Sequence, residues 1–382
     1  MTQPDSFRYL SLETLPGDVL AVTLDDPSGR ANRTTDLFKA ELGRLLDRLE
    51  TGPRPAGVLF RSAKASFGTG GDIGEVMGYA ARGPEASAAD SRALKMLFRR
   101  IERLDLPTAA VIEGTAAGGG WELALACRLR ICAPDPAIRL GLPEVGFGLV
   151  PGGGGLQRLP HLVGGTRAGE MIAGGRLLSP VQMQADGLID ALVADPAERI
   201  ATACAMMRGC DPRQPWDRPG HRPPDLLRAA LPADARPGAG APLLALDAIA
   251  RIVTQSFDAG AETESLAFAE AACSAEARAL VGLNFLDRNA LRRRSGAEAE
   301  ITALAGALCG QDDMAAAALR LIAAGRVPSA AVLNAASVRA GAPEVEGGIL
   351  RALAACGAIS ADLHAALQNA DIPTQASTGT DR

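Results

Sequence analysis

The stretch Val111-Ile112-Glu113-Gly114-Thr115-Ala116-Ala117-Gly118-Gly119-Gly120-Trp121-Glu122-Leu123-Ala124-Leu125-Ala126-Cys127 decides the fold. An apolar run beginning at Ala109 has the composition of a buried strand, and Leu123 to Cys127 reads as a helix. A glycine-rich loop joins them, so strand, tight loop and helix meet at one point. Three successive glycines at a helix start leave unhindered backbone N–H groups at the positive end of the helix dipole, a place suited to a developing anion. Glu122 follows directly.

Working outward, residues 1 to about 195 alternate short apolar runs with amphipathic stretches. Asp18 to Leu24 and Gly57 to Phe60 read as strands. Leu37, Phe38, Leu42, Leu45, Leu46 and Leu49 line one face of a helix that Thr34 or Thr35 can cap. Leu94, Leu97, Phe98, Ile101 and Leu104 recur at helical spacing, and Pro107 closes that helix. The alternation predicts an α/β domain.

Two further glycine segments flank the first. Ser66-Phe67-Gly68-Thr69-Gly70-Gly71-Asp72-Ile73 follows a strand and, alone, reads as a tight turn. Leu142-Pro143-Glu144-Val145-Gly146-Phe147-Gly148-Leu149-Val150-Pro151-Gly152-Gly153-Gly154-Gly155 sets Glu144 among apolar residues and glycines. Such surroundings desolvate a carboxyl group and raise its affinity for a proton. Neither a G-x-x-x-x-G-K-[ST] loop nor a G-x-G-x-x-G turn in dinucleotide context is present, so an oxyanion role fits these loops better than phosphate binding.

Composition removes other classes. The chain has 382 residues, 39 Lys and Arg against 44 Asp and Glu, and a net charge of −5, with no long basic run to track a phosphate backbone. Nucleic acid is not an expected partner. Seven cysteines without a C-x-x-C predict buried thiols in a reducing compartment. His161, His221 and His364 lie 60 and 143 residues apart, so no metal site is expected. The polar opening MTQPDSFRYL and the lack of any long apolar run predict a cytoplasmic protein without a membrane span.

The three segments together resemble the crotonase, or enoyl-CoA hydratase/isomerase, superfamily. The likeness continues through Leu156-Gln157-Arg158-Leu159-Pro160, Gly164 to Ala168, Ile172 to Arg176 and Ala185 to Asp190, over about residues 15 to 195. It is strongest to the hydratase half of multifunctional β-oxidation enzymes. The implied fold is α/β, a crotonase (ClpP-like) β-β-α spiral core followed by an α-helical C-terminal region.

The resemblance also implies a site. The oxyanion-hole positions match Gly71, where alanine is frequent in the family, and Gly119; the catalytic positions match Glu122 and Glu144. By resemblance Glu144 exchanges the α-carbon proton and Glu122 helps hold water, with Gly152 N–H as a further water contact. Coenzyme A is expected along Lys64 to Gly74, including Asp72, Ile73 and Gly74, with Lys64 either a phosphate contact or a solvated surface lysine. Trp121, in place of a smaller residue, either reshapes the acyl pocket or serves the core.

The implied activity is hydration of a 2-trans-enoyl-CoA to a 3-hydroxyacyl-CoA without a cofactor, coenzyme A being part of the substrate. Enoyl-CoA isomerisation, another crotonase reaction such as thioester hydrolysis, and a non-catalytic scaffold role remain open.

The expected organisation is a crotonase-like domain at 1–200, a Pro-rich linker at 201–242, linker helices at 243–292, a helical region of unassigned role at 293–370 and a disordered tail at 371–382. Eight of the 25 prolines fall within 211–242. Residues 243 to 292 resemble the helix that joins hydratase to dehydrogenase in the multifunctional enzymes. No nucleotide-binding turn follows near residue 295, so the dehydrogenase is expected to be missing. Self-association, or association with a separate 3-hydroxyacyl-CoA dehydrogenase or thiolase, is the partner expectation.

Overall fold

A computed structural model describes residues 6–222 and 240–281. Contacts divide the chain into Met1–Cys273 and Ser274–Arg382. Of the second unit, one helix is described, Ala275–Val281. The helical region expected at 293–370, the tail at 371–382, the end of the linker-helix segment and residues 223–239 of the Pro-rich stretch lie outside the described residues.

In the first unit, β1 (Leu10–Leu15) and β2 (Val19–Leu24) form an antiparallel hairpin. Helix α1 (Asp36–Thr51) then returns the chain to β3 (Gly57–Ser62), parallel to β2. Helices α2 (Ile73–Ala81) and α3 (Pro84–Glu102) lead to β4 (Thr108–Ile112), parallel to β3. The chain continues through β5 (Ala116–Ala117), α4 (Gly119–Ala126), β6 (Leu129–Cys132) and β7 (Leu140–Gly141). A 3₁₀ turn at Glu144–Phe147 precedes α5 (Gly155–Val163), α6 (Gly165–Gly174), α7 (Pro180–Ala185), β8 (Ala191–Leu192) and α8 (Pro196–Arg208). The main sheet has the order β1-β2-β3-β4-β6-β8, and β5 pairs with β7 in a small second sheet.

Local chemistry accounts for these elements. Thr35 caps α1 by accepting the Phe38 N–H at 3.2 Å, and of the stripe read from the sequence Phe38, Leu42, Leu45, Leu46 and Leu49 are buried while Leu37 is half-buried. Buried Glu41 on the same face accepts the N–H groups of Arg8, Tyr9 and Leu10 and so fixes the approach to β1. β4 is buried along its whole length, as a central parallel strand requires. Met207 and Cys204 of α8 join Leu59, Val111 and Ile131 in one cluster against the sheet.

Residues 211–222 run across the core. Gln214 donates to the Ala126 carbonyl at 2.8 Å, and the Trp216 ring stacks on Phe257 with centroids 4.6 Å apart. Helices α9 (Gly240–Ile252) and α10 (Phe257–Ala272) belong to the first unit, α10 packing along α3 and α9 along α6. The stretches read as linker and linker helices therefore contribute to the compact unit up to Cys273.

The loops after β3 and β4 meet backbone to backbone. The Ala117 N–H donates to the Gly68 carbonyl at 2.8 Å, and a Cβ placed on Gly120 would stand 2.5 Å from that carbonyl oxygen. Only glycine permits this approach. Gly120→Ala is expected to destabilise the fold by about 1–3 kcal/mol through overpacking, read as a lowered midpoint in urea or thermal unfolding; an unchanged midpoint would show that the loops can separate freely.

Candidate active site

Gly71 and Gly119 lie beyond the carboxyl ends of adjacent parallel strands β3 and β4, where open α/β sheets form ligand crevices. A Cβ on Gly119 would stand 2.8 Å from Thr34 Oγ1, and one on Gly71 3.8 Å from the same oxygen. The two glycines thus flank one threonine. Thr34 N–H in turn donates to the Gly70 carbonyl at 2.9 Å, tying the start of α1 to this loop. Among the described residues no acceptor takes the N–H of Gly71 or Gly119. Gly119 opens α4, so its N–H is one of those a helix leaves unsatisfied at its start.

Glu122 sits in the first turn of α4 and is 2% exposed. Its Oε1 accepts the N–H groups of Gly153 and Gly155, both at 2.8 Å. Burial pushes its carboxyl up to about 7, the neighbouring charge of Glu264 adds to the rise, and the two N–H donors oppose it. Glu144 begins the 3₁₀ turn, and its Oε2 is buried with no hydrogen-bond partner. Burial first, and then the charge of Glu122, hold Glu144 well above the usual carboxylate range. A Cβ on Gly118 would meet Glu144 Oε1 at 2.8 Å, so this carboxyl faces the loop that carries Gly119. Glu144 thus faces the loop that carries Gly119, Glu122 faces the Gly153–Gly155 turn, and the charge of Glu122 acts on Glu144.

The other expected residues are placed as follows. Gly152 N–H has no intramolecular acceptor, and its Cα packs against Phe268 of α10, where a Cβ would stand 2.6 Å from the ring. Asp72 caps α2 by accepting the Glu75 N–H at 3.0 Å and pairs with Arg33. Ile73 opens that helix half-buried, and Gly74 is exposed. Lys64 Nζ pairs with Asp25 at 2.8 Å. Trp121 is fully buried in the core.

Several buried polar residues around the glutamates went unread in the sequence. Lys95 and Ser91 of α3, Glu264 and Ser265 of α10, and the Glu102–Arg158 ion pair at 2.5 Å all surround the 151–155 turn. Desolvation pulls Lys95 down to about 8. A cavity of about 250 Å³ opens between α3 and α10, and its arginines are engaged: Arg92 with Glu262, Arg99 and Arg103 with Asp258, and Arg100 with Asp47 and Glu50. His161 and His221, 60 residues apart, meet with Nδ1 and Nε2 3.0 Å apart. Among the described residues no group of three or more His, Cys, Asp or Glu is placed to hold a metal ion, and no helix is long and apolar enough to cross a membrane.

The family model for enoyl-CoA hydratase/isomerase matches residues 14–209. The chain is 40% identical over 196 residues to the fatty acid oxidation complex subunit alpha of Idiomarina loihiensis, covering 50% of this chain and 27% of that one. It is 30% identical over 308 residues to the Shewanella putrefaciens protein of the same name, covering 73% of this chain and 41% of that one. The chain thus spans less than half the length of these curated relatives. A solved structure of a candidate enoyl-CoA hydratase from Streptomyces avermitilis superposes with a TM-score of 0.51 at 28% identity, over 71% of this chain and 86% of that one. Matched across just over half of its length, with the crotonase fold in place, the chain belongs to the enoyl-CoA hydratase/isomerase family.

Proposed function

We propose that this protein hydrates 2-trans-enoyl-CoA thioesters to 3-hydroxyacyl-CoA, in fatty-acid oxidation. The observation that carries the reading is the pairing of two buried carboxyls, Glu122 and Glu144, beside two backbone N–H groups with no intramolecular acceptor. Water oxygen bonds to C3 of the conjugated thioester, and the π electrons move onto the thioester oxygen. Gly71 and Gly119 N–H groups receive that oxyanion, a contribution of a few kcal/mol for preorganised donors. A carboxylate takes the water proton and a protonated carboxyl gives one to C2, so the pair needs one proton between its members.

By this reading Glu122, oriented by the Gly153 and Gly155 N–H groups, holds the water together with Gly152 N–H, and Glu144 serves C2. Coenzyme A enters as part of the substrate and no separate cofactor takes part. The names of the Idiomarina and Shewanella relatives support the metabolic setting and an association with further β-oxidation enzymes. A second reading, isomerisation of 3-enoyl-CoA, draws on Glu144 alone, whose free Oε2 can carry a proton between two carbons.

Glu122→Gln and Glu144→Gln are each expected to lower kcat for hydration of short, medium and long 2-enoyl-CoA esters by roughly 10²–10⁴-fold, with products identified by mass. Isomerisation surviving in Glu122→Gln without any hydration in the wild type would select the second reading.

Because burial raises both carboxyls, the pair retains a proton at neutral pH and surrenders it as pH rises. Hydration is therefore expected to fall on the alkaline side, and a pH–rate profile flat through this range would contradict the shared proton. Folding carries the same signature. The Glu122 carboxyl is raised from 4.5 to about 7, so its favourable share is complete at low pH and is lost as pH climbs across that window. Relative to Glu122→Gln, the wild type should lose on the order of 2–3 kcal/mol of unfolding free energy there, as measured by urea titrations at successive pH values.

A further inference from the structure

The turn that orients Glu122 is gripped from three helices. From α3, Ser91 Oγ donates to the Gly152 carbonyl at 2.6 Å and accepts from Lys95 Nζ at 3.0 Å. From α5, Arg158 Nη1 donates to the Gly153 carbonyl at 3.0 Å. From α10, Glu264 accepts the Gly154 N–H on Oε1 at 2.6 Å and the Gln157 N–H on Oε2 at 3.0 Å. Successive N–H groups thus point at opposite carboxylates: Gly153 and Gly155 to Glu122, and Gly154 between them to Glu264. Gly154 reaches this geometry with φ of 110°, a conformation open to glycine.

Glu264 is fully buried. A carboxylate kept out of water needs donors and countercharge, and these two N–H groups and Lys95 supply both. The Ser91–Lys95 pair is not a nucleophilic dyad, since Ser91 is 3% exposed and its proton is committed to the Gly152 carbonyl.

We propose that Glu264 is a positioning residue for Glu122: by holding the Gly154 N–H on the far side of the turn it aims the Gly153 and Gly155 N–H groups, and with Lys95 it sets the charge against which Glu122 exchanges a proton. This role rests on reading Glu122 as a reacting carboxyl. The ionisable groups acting on this site are Lys95 and Glu102 from α3, Glu144 from the 3₁₀ turn, Arg158 from α5 and, through Lys95, Glu262 from α10. Arg158 is engaged by Glu102, so Lys95 and Glu264 are the members whose removal changes the field at Glu122 with opposite sign.

The test uses the full chain with Glu264→Gln, Lys95→Met and both together. The side-chain carboxyl of Glu122 is followed by NMR on protein labelled at glutamate Cδ, its resonance assigned with Glu122→Gln. Removing the negative charge should move the Glu122 midpoint to lower pH by roughly one unit, and removing the positive charge should move it to higher pH by a similar amount. The double variant should return toward the wild type. For hydration of 2-butenoyl-CoA, Glu264→Gln should lower kcat by roughly 10–100-fold, the cost of a misaligned group, with little change in KM.

Equal Glu122 midpoints in all variants, or shifts of one sign only, would overturn the proposal, because a purely structural residue changes the folded fraction and not the direction of a titration. Lys95→Met retains both Glu264 hydrogen bonds, so where Glu264→Gln does not fold, an unmoved or lowered Glu122 midpoint in Lys95→Met overturns the proposal and a raised one supports it. Opposed midpoint shifts in a protein that hydrates nothing would leave the positioning role standing and remove the hydratase reading. Hydration with unmoved midpoints would do the reverse.

Discussion

Everything near the site depends on keeping the carboxyl of Glu122 out of water without leaving it unsatisfied. Two N–H groups at 2.8 Å meet one of its oxygens, and they come from the turn that leads into α5, Gly153 just ahead of the helix and Gly155 its first residue. Such a turn must be fixed by its other peptide groups. Its carbonyls and remaining donors are therefore spread over α3, α5 and α10. A helix distant in sequence becomes necessary to the geometry of a loop at residue 153.

The second constraint is distance. The loops carrying Gly71 and Gly119 can present both N–H groups to one oxyanion only if their backbones nearly touch. The Gly68–Gly120 contact brings this about, and the paired strands β3 and β4 hold the loops in register behind it. The glycine content thus serves two ends: exposing N–H groups, and letting main chains pass within van der Waals reach of one another. The Gly153 to Gly155 run serves the same ends beside Glu122: added Cβ atoms on Gly153 and Gly155 would crowd its carboxylate oxygens, and one on Gly154 would strike the Arg158 guanidinium.

Much of this was legible before any coordinates. The strand-loop-helix reading around residues 109–127, the caps and the apolar face of α1 follow from local spacing, and the structure repeats them. Glu122 and Glu144 stood out because glycines and apolar residues surround them in sequence. Lys95, Ser91 and Glu264 did not, and α3 shows why. Leu94 and Leu97 recur at helical spacing with Phe98 and Ile101, yet both are half-buried, while Ser87, Ser91, Lys95, Phe98 and Glu102 face inward. A stripe of polar residues at helical spacing looks solvated unless a partner is known. The partner is α10, whose inward side carries Gly260, Glu264, Ser265, Ala267 and Phe268. Recognition of long-range pairing between polar faces is beyond periodicity. The meeting of His161 with His221 is likewise a product of tertiary folding alone.

Charge accounting explains why the proton settles where the proposed chemistry needs it. Four carboxyls, Glu102, Glu122, Glu144 and Glu264, share this core with Lys95 and Arg158, and Arg99 also reaches Glu102 at 2.9 Å. Full ionisation would leave the buried carboxylates of Glu122 and Glu144 with no cation in contact among the described residues, which a low-dielectric interior opposes strongly. Glu102 is neutralised by contact with Arg158 at 2.5 Å. Glu264 has two N–H donors and the field of Lys95. Among the described residues Glu122 has donors but no cation in contact, and Glu144 Oε2 has no hydrogen-bond partner. The deficit therefore falls on these two, and the least costly remedy is retention of a proton between them. A shared proton on paired carboxyls beside N–H donors is the state that the proposed hydration requires, so the acid–base chemistry proposed for this site would follow from how the surrounding core is charged.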